Sequence, residues 1–290
     1  MNYRIALCLI TRYQLPIDMQ RYIEHYTSIG VTDIFVYDNE SKSDIKSICD
    51  KFTNVFYTFI DEDYICKNPQ HKIYTDFYNQ HKNDYDYILC LDDDEYLWLN
   101  SKKYKDLHEF CNYLDKENIE QYILPWQYIS YKDNERPYKR SNSMIEDCHY
   151  TYPSYFQNNK KDTCFKSIVS TKSPAVYSYV HYFTDIDGNY KLWYDDKVYY
   201  TNDIVDSHIY VDFRMADVKL FHYLQRSLEE WEIKMTGPSC DNRAYKNLKE
   251  KYIKTFKQPA TISIGYTEYI NPFNTNKQTN ELDLSIFNNE

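Results

Sequence analysis

Three aspartates and a glutamate, Asp92, Asp93, Asp94 and Glu95, stand between two apolar runs at residues 87–91 and 96–99. Carboxylates this close repel one another unless a cation neutralises them. Oxygen donors in a tight group suit Mg²⁺ or Mn²⁺. In extended backbone alternate side chains share a face, so Asp92 and Asp94 are expected to point at one ion with Asp93 turned away. The run at 87–91 reads as a buried strand. The cluster would then lie at a strand's carboxyl end, where open α/β sheets bind ligands. A metal held there would grip a substrate's phosphates. The competing reading is a solvated acidic turn, because D-x-D spacing arises readily by chance.

The preceding residues read as the elements that position this cluster. Residues 3–10, apolar but for Arg4, read as a buried first strand. Pro16 stands at a helix start and Gly30 at its end. Between them Met19, Tyr22, Ile23, Tyr26 and Ile29 recur at three- and four-residue intervals, one face of a helix. Residues 31–37 read as a second strand ending in the turn-forming and capping group Asp38-Asn39-Glu40-Ser41. A helix over about 43–51 follows. Residues 55–60 read as a third strand and 69–82 as a helix leading into the strand before Asp92. This alternation predicts a parallel sheet with helices on its faces, and places Asp38 and the Asp92 cluster at the same edge.

The remainder is less regular. A helix at 107–114 and strands at 121–126, 165–170 and 175–181 are expected, with loops through most of 127–164. Asp187-Gly188 marks a hairpin-like turn. Residues 218–223 read as a short strand, 227–235 as a helix and 242–256 as another. The chain is taken as one catalytic domain over 1–257 and a peripheral tail over 258–290.

With 290 residues, 42% of them hydrophobic and 18% aromatic, the chain can bury a substantial core and does not have a disordered composition. Its formal net charge of -10 disfavours nucleic acid, which needs a basic footprint. None of the eight cysteines forms a C-x-x-C pair, which argues for reduced thiols rather than zinc or a disulfide framework. The N-terminal apolar run is too short for a signal peptide, and no window reaches membrane-spanning length. A cytoplasmic protein is expected, with peripheral contact at the inner membrane face left open.

Several pieces recur in a fixed order: "HYTSIGV" from His25, "YDNESKSD" from Tyr37, Gln70-x-x-x-Tyr74, "DDDEYL" from Asp92, "FKSIV" from Phe165, then His181, and "HYLQRSLEEWEIKMTG" from His222. In order and spacing the chain resembles glycosyltransferases of family 92 type and the similar bacterial family-2-like enzymes, over most of residues 4–240. One departure is plain: such proteins carry an Asn-Glu pair after the first strand, and this chain has Thr11-Arg12-Tyr13-Gln14.

The resemblance implies a GT-A fold, a Rossmann-like mixed sheet flanked by helices, and an inverting transfer of a hexose. The donor would be a UDP-sugar, galactose favoured over glucose. The acceptor would be a hydroxyl of a glycan or lipid-linked glycan, such as capsular polysaccharide or lipooligosaccharide. It implies Mn²⁺ or Mg²⁺ on Asp92 and Asp94, with His222 as third ligand or diphosphate contact. Asp38 can accept a hydrogen bond from uracil or ribose, or it can cap a turn with Asn39 and Ser41. Asp93 and Asn39 fall in the same donor-contacting group. Lys166 interrupts an apolar strand and needs a partner, the diphosphate or an aspartate. Gln70 is either a donor contact or a surface helix residue. For the base, Glu229, Glu230 and His181 are the candidates. Ser227-Leu228-Glu229-Glu230 also reads as a capping box, which explains Glu230 without chemistry. Trp126 reads as core before sugar platform. Two rival classes remain. A nucleotidyltransferase would need a glycine-rich loop, and the glycines at 30, 188, 237 and 265 form no cluster. A catalytically silent glycan-binding or scaffold protein would also use the many aromatics.

Overall fold

The computed structural model describes residues 2–60, 69–131, 136–148, 150–151, 162–200, 208–210, 216–223, 226–236 and 267–268. The elements in chain order are β1 (Ile5–Thr11), α1 (Pro16–Ser28), β2 (Asp33–Asp38), α2 (Lys46–Cys49), β3 (Val55–Phe59), α3 (Pro69–His81), β4 (Tyr87–Asp92) and β5 (Glu95–Leu99). Then come α4 (Leu107–Lys116), β6 (Gln121–Ser130), α5 (Met144–Asp147), β7 (Tyr150–Thr151), β8 (Asp162–Ser170), β9 (Tyr177–Tyr179) and β10 (Tyr182–Thr184). The last are β11 (Lys191–Tyr194), β12 (Lys197–Tyr200), β13 (His208–Tyr210), β14 (Val218–His222), α6 (Leu228–Thr236) and β15 (Thr267–Glu268). The expected helix at 242–256 and the tail lie outside the described residues.

The fold is mixed α/β. The main sheet runs β12-β11-β6-β8-β4-β1-β2-β3. Strands β3, β2, β1 and β4 are parallel, and β8 is antiparallel to both β4 and β6. Burial on both faces explains the apolar run of β1. Ile5, Leu7 and Leu9 join the core under α1, with Met19, Tyr22, Ile23 and Tyr26, while Ala6, Cys8 and Ile10 join the core under α3, with Ile73, Tyr74, Phe77 and Tyr78. Gly30 ends the turn after α1 at φ 104°, and a Cβ there would stand 2.9 Å from the His108 ring. Both conditions require glycine.

The chain order reverses about β1. Strands β2 and β3 lie on one side of it, and β4 returns to the other. The carboxyl ends of β1 and β4 are therefore a topological switch point. The register sets Thr11 beside Asp38 and Ile10 beside Asp92.

Three expectations change. The helix over 43–51 contracts to the four residues of α2. The strand expected at 175–181 is the three-residue β9, which turns through Val180-His181 into β10. The strand at 121–126 continues to Ser130, because β14 pairs with its second half at Trp126, Gln127 and Tyr128. The 185–189 turn forms, closed by Asp185 accepting from the backbone of Asp187 and Asn189. Among the described residues Cys8, Cys49, Cys90, Cys111, Cys148 and Cys164 are free thiols, and no helix is long and apolar enough to cross a membrane.

Candidate active site at the carboxyl ends of β1 and β4

Strand β4 ends at Asp92, a turn carries Asp93 and Asp94, and β5 leaves the main sheet to pair with β14. Helix α1 fixes β5 in that direction. Tyr26 Oη donates to the Glu95 carbonyl (2.8 Å) and accepts from the Leu97 N–H (3.0 Å). His25 Nε2 lies 2.9 Å from the Leu97 carbonyl, so that nitrogen carries the proton. Burial pulls the His25 imidazole down to about 4, so it is a neutral structural group near pH 7. The "HYTSIGV" stretch is thus the support of the acidic turn.

The turn overturns the expected alternation, in which Asp92 and Asp94 share a face and Asp93 points away. Asp92 faces α3 and β8. Its Oδ1 accepts from Gln70 Nε2 (2.5 Å), Lys166 Nζ (3.1 Å) and Tyr74 Oη (3.5 Å). Gln70 and Tyr74, one helical turn apart, both reach the end of β4, and Tyr74 Oη also donates to the Leu91 carbonyl. This accounts for the Gln70-x-x-x-Tyr74 spacing, and Gln70 is buried rather than a surface residue. Asp93 accepts from Thr11 Oγ1 (2.7 Å) and Arg226 Nη2 (2.8 Å), and its carbonyl accepts from Gln14 Nε2 (2.6 Å). Asp94 faces the same arginine (3.2 Å), with His222 Nε2 at 3.4 Å and Lys234 Nζ at 3.9 Å. The Thr11–Gln14 segment, where the sequence departs from the resemblance, holds the acidic turn in place.

Charge is balanced inside the cluster. Enclosure opposes ionisation of Asp94, yet His222, Arg226 and Lys234 outweigh it and hold the carboxyl far below the usual range. Asp92 is likewise lowered: Lys166 and His222 overcome both enclosure and the charge of Asp94. For Asp93 enclosure wins, and its carboxyl is raised despite Arg226. Burial pushes Glu95 well up, although its Oε2 accepts from the Asp92 N–H (2.9 Å), so it is held toward the neutral acid. Lys166 is fully buried. Burial opposes its charge, but Asp92 and Glu95 keep its pKa above the ordinary lysine value.

The other expected residues separate into two groups. Asp38 spends both oxygens on the fold, Oδ1 accepting from the Ser41 N–H and Oδ2 from Tyr57 Oη, each at 2.8 Å. Asn39 is buried and donates its N–H to the Thr11 carbonyl. His181 Nδ1 lies 2.8 Å from the Phe165 carbonyl, and its ring packs on Trp126, which in turn lies against His222. Trp126 is buried in the core, as expected. Glu230 is committed. Its Oε2 accepts from the Ser227 N–H (3.2 Å) while its own N–H donates to Ser227 Oγ (3.4 Å), the reciprocal pair of a capping box. The carboxylate accepts further from Ser227 Oγ (2.6 Å) and from Arg140 Nε and Nη2 (2.6 Å each). A carboxylate so engaged is a poor proton acceptor, which corrects its place among the candidate bases. Glu229 is partly exposed and lines a cavity with Arg12, Lys42 and Lys139.

Arg226 and Arg140 were missed by sequence reasoning, though both are buried and central. Arg226 lies inside the "HYLQRSLEEW" stretch, and an arginine directly before a helix cap was the available signal. Arg140 also binds Asp18 of α1, and no local pattern announces that pair.

A divalent cation suits the donor types here, two carboxylates and an imidazole. All three hydrogen bonds to Asp92 fall on Oδ1, leaving Oδ2 with no partner among the described residues, and His222 Nδ1 is buried without one. The groups are not assembled: among the described residues no three His, Cys, Asp or Glu side chains converge into a metal-holding group. Lys166 and Arg226 now occupy the charges a cation would.

No protein-family model matches the chain, and no curated protein matches it. Among solved structures it is similar to residues 1–349 of TarS from S. aureus, at 14% identity and a TM-score of 0.33 over 58% of this chain. It spans 47% of that structure, about half its length. HddC from Yersinia pseudotuberculosis is similar at 12% identity and TM-score 0.34, over 68% of this chain and 92% of that one. The 4-diphosphocytidyl-2C-methyl-D-erythritolsynthase of Anaerococcus prevotii DSM 20548 stands at 9% and 0.30, over 59% and 71%.

Proposed function

We propose that the protein is a metal-dependent, inverting glycosyltransferase of GT-A type that moves a hexose from a UDP-sugar, galactose first, to a hydroxyl of a surface glycan. The observation that carries this reading is the placement of Asp92, Asp93 and Asp94 at the switch point between β1 and β4, where open α/β sheets take nucleotides. Asp92, Asp94 and His222 would hold Mn²⁺ or Mg²⁺. The ion, when bound, supplies positive charge to the leaving diphosphate. Among the described residues Lys166 and Arg226 are buried cations paired with the aspartates, and there they would act on that charge through little screening water. Asp38 remains a candidate for the nucleoside only by sharing its carboxylate with the turn it caps. The work would be done in the cytoplasm, at or near the membrane carrying the acceptor.

Glu229 is the preferred base, because it is the carboxylate of its pair not committed to Arg140. Glu229→Gln is expected to lower turnover by about 10²–10⁴-fold with no change in thermal midpoint. Glu230→Gln is expected to lower the midpoint. Turnover unchanged in Glu229→Gln would move the role to another residue, with His181 next.

The test of the whole reading is UDP release from a panel of UDP-sugars, with Mn²⁺ and then EDTA, alongside calorimetry of UDP. The expected result is release from one sugar, lost with EDTA. Absence of any metal-dependent UDP binding would overturn it. One observation favours a second reading, a silent glycan-binding protein: Lys166 and Arg226 already neutralise the carboxylates. Glycan binding indifferent to UDP and Mn²⁺ would select that reading.

A further inference from the structure

A cavity of about 220 Å³ lies beside the acidic turn, lined among others by Arg12, Tyr13, Lys42, Lys139, Ser227 and Glu229. It shares its wall with the carboxylate cluster. Arg12 follows Thr11, which binds Asp93, and Ser227 follows Arg226, which binds both Asp93 and Asp94. The cavity therefore adjoins the place where the reacting end of a donor would lie, and does not overlap it.

Its charges are of two kinds. Arg140 and Glu230 are consumed by each other and by Asp18. Arg12 gives Nη2 to Glu40 at 2.8 Å, but its Nη1 is buried with no hydrogen-bond partner, in a side chain only 9% exposed. Lys42 and Lys139 are exposed and make no ion pair among the described residues. A buried guanidinium nitrogen left unpaired costs free energy unless something accepts from it. Two lysines lining one cavity without an ion pair among the described residues, in a chain of net charge -10, define a local anion preference. The same lining includes Glu229, a carboxylate with no ion pair among the described residues.

We infer that this cavity binds the acceptor through an anionic group, a phosphate or a carboxylate, held by Arg12, Lys42 and Lys139, with the reacting hydroxyl toward Glu229. This rests on the glycosyltransferase reading and adds the acceptor's chemical class. Arg12 supplies one guanidinium nitrogen, Nη1, for an anionic oxygen while Nη2 stays with Glu40, and the lysines supply point charge from the rim. A neutral sugar would leave the Arg12 nitrogen unsatisfied, so selectivity follows from the same geometry.

The experiment uses the full chain and three small probes: methyl phosphate, methyl glucuronide and neutral methyl galactoside. Binding is followed by calorimetry, with and without saturating UDP and Mn²⁺. At least one anion is expected to bind, and to bind equally beside UDP. The neutral glycoside is expected to bind at least about tenfold more weakly, 1.4 kcal/mol. The exposed-site double variant Lys42→Ala/Lys139→Ala is expected to lose about tenfold in anion affinity with an unchanged thermal midpoint. Preference for methyl phosphate would assign a phosphorylated acceptor, and preference for the glucuronide an acidic sugar. Displacement of the anion by UDP would overturn the inference, because the anion would then occupy the donor's site. So would binding unaffected by the double variant, or no anion binding at all. UDP calorimetry on the same samples tests the donor reading separately, so its failure is told apart from failure of the cavity.

Discussion

Arg140→Ala is expected to destabilise the protein by about 3–5 kcal/mol, the cost of leaving buried carboxylates without their cation. Arg140 joins three parts of the chain. Its guanidinium binds both oxygens of Asp18 on α1 and both oxygens of Glu230 on α6, and all three side chains are almost wholly buried. Asp18 accepts in addition from the Met144 N–H at 2.7 Å, which ties in α5. At this chain length the loss corresponds to a fall in thermal midpoint of roughly 10 °C. Neutralising the orphaned acids with Asp18→Asn and Glu230→Gln should recover much of it, because the penalty lies in the unpaired charge.

The contribution of Glu230 to the pH dependence should change sign between wild type and variant. In the wild type burial raises the Glu230 carboxyl, but Arg140 and Arg226 outweigh it, and the pKa lies below its ordinary value of 4.5. A lowered native pKa contributes stability that is present above the unfolded value and lost as pH falls through the native one. Without Arg140 burial dominates and the native pKa rises above the unfolded one. Relative to the wild type, the variant should then gain stability as pH falls from 7 toward 5, a range in which the lowered wild-type Glu230 contributes no slope of its own. Denaturant midpoints at pH 5, 6 and 7 would show it. A variant whose stability ran parallel to wild type would mean that the two carboxylates find other partners.

How far the sequence disclosed the fold depended on the range of the contacts involved. Strand β1 was legible because burial on both faces makes six successive residues, 5–10, apolar, and the helices around it show one apolar face each. The extension of β6 through residues 127–130 was not, because its partner β14 lies some ninety residues further on. In the site, the acidic run was plain, but its geometry was not. A strand-like alternation was expected, and the tight turn through Asp93 and Asp94 is set by Thr11, Gln14 and Arg226, 79 to 133 residues away in sequence. Arg140 and Asp18, 122 residues apart, escaped for the same reason.

Asp94→Asn is expected to lower sugar transfer by at least about 10²–10³-fold, close to 3–4 kcal/mol of transition-state stabilisation, and to abolish Mn²⁺-dependent UDP binding. The change is nearly isosteric and keeps the parts of Asp94 that the fold uses. Its carbonyl still accepts from the Tyr223 N–H, and Arg226 retains Asp93 at 2.8 Å. What is lost is one negative charge facing His222, Arg226 and Lys234, the charge that would draw a divalent cation into their midst. Asp92→Asn is a less clean variant. Lys166 is fully buried and Asp92 is its one ion pair among the described residues, so that substitution strands a cation and should cost stability as well as activity. Both variants should therefore lose activity and some thermal midpoint, with the larger loss of stability in Asp92→Asn, because Arg226 keeps Asp93 when Asp94 is neutralised whereas Lys166 keeps no ion pair among the described residues. Turnover and UDP calorimetry with Mn²⁺ or EDTA, read beside thermal melts, decide it. Wild-type turnover in Asp94→Asn would remove the metal from the reaction and leave Arg226 and Lys166 as the groups that meet the diphosphate.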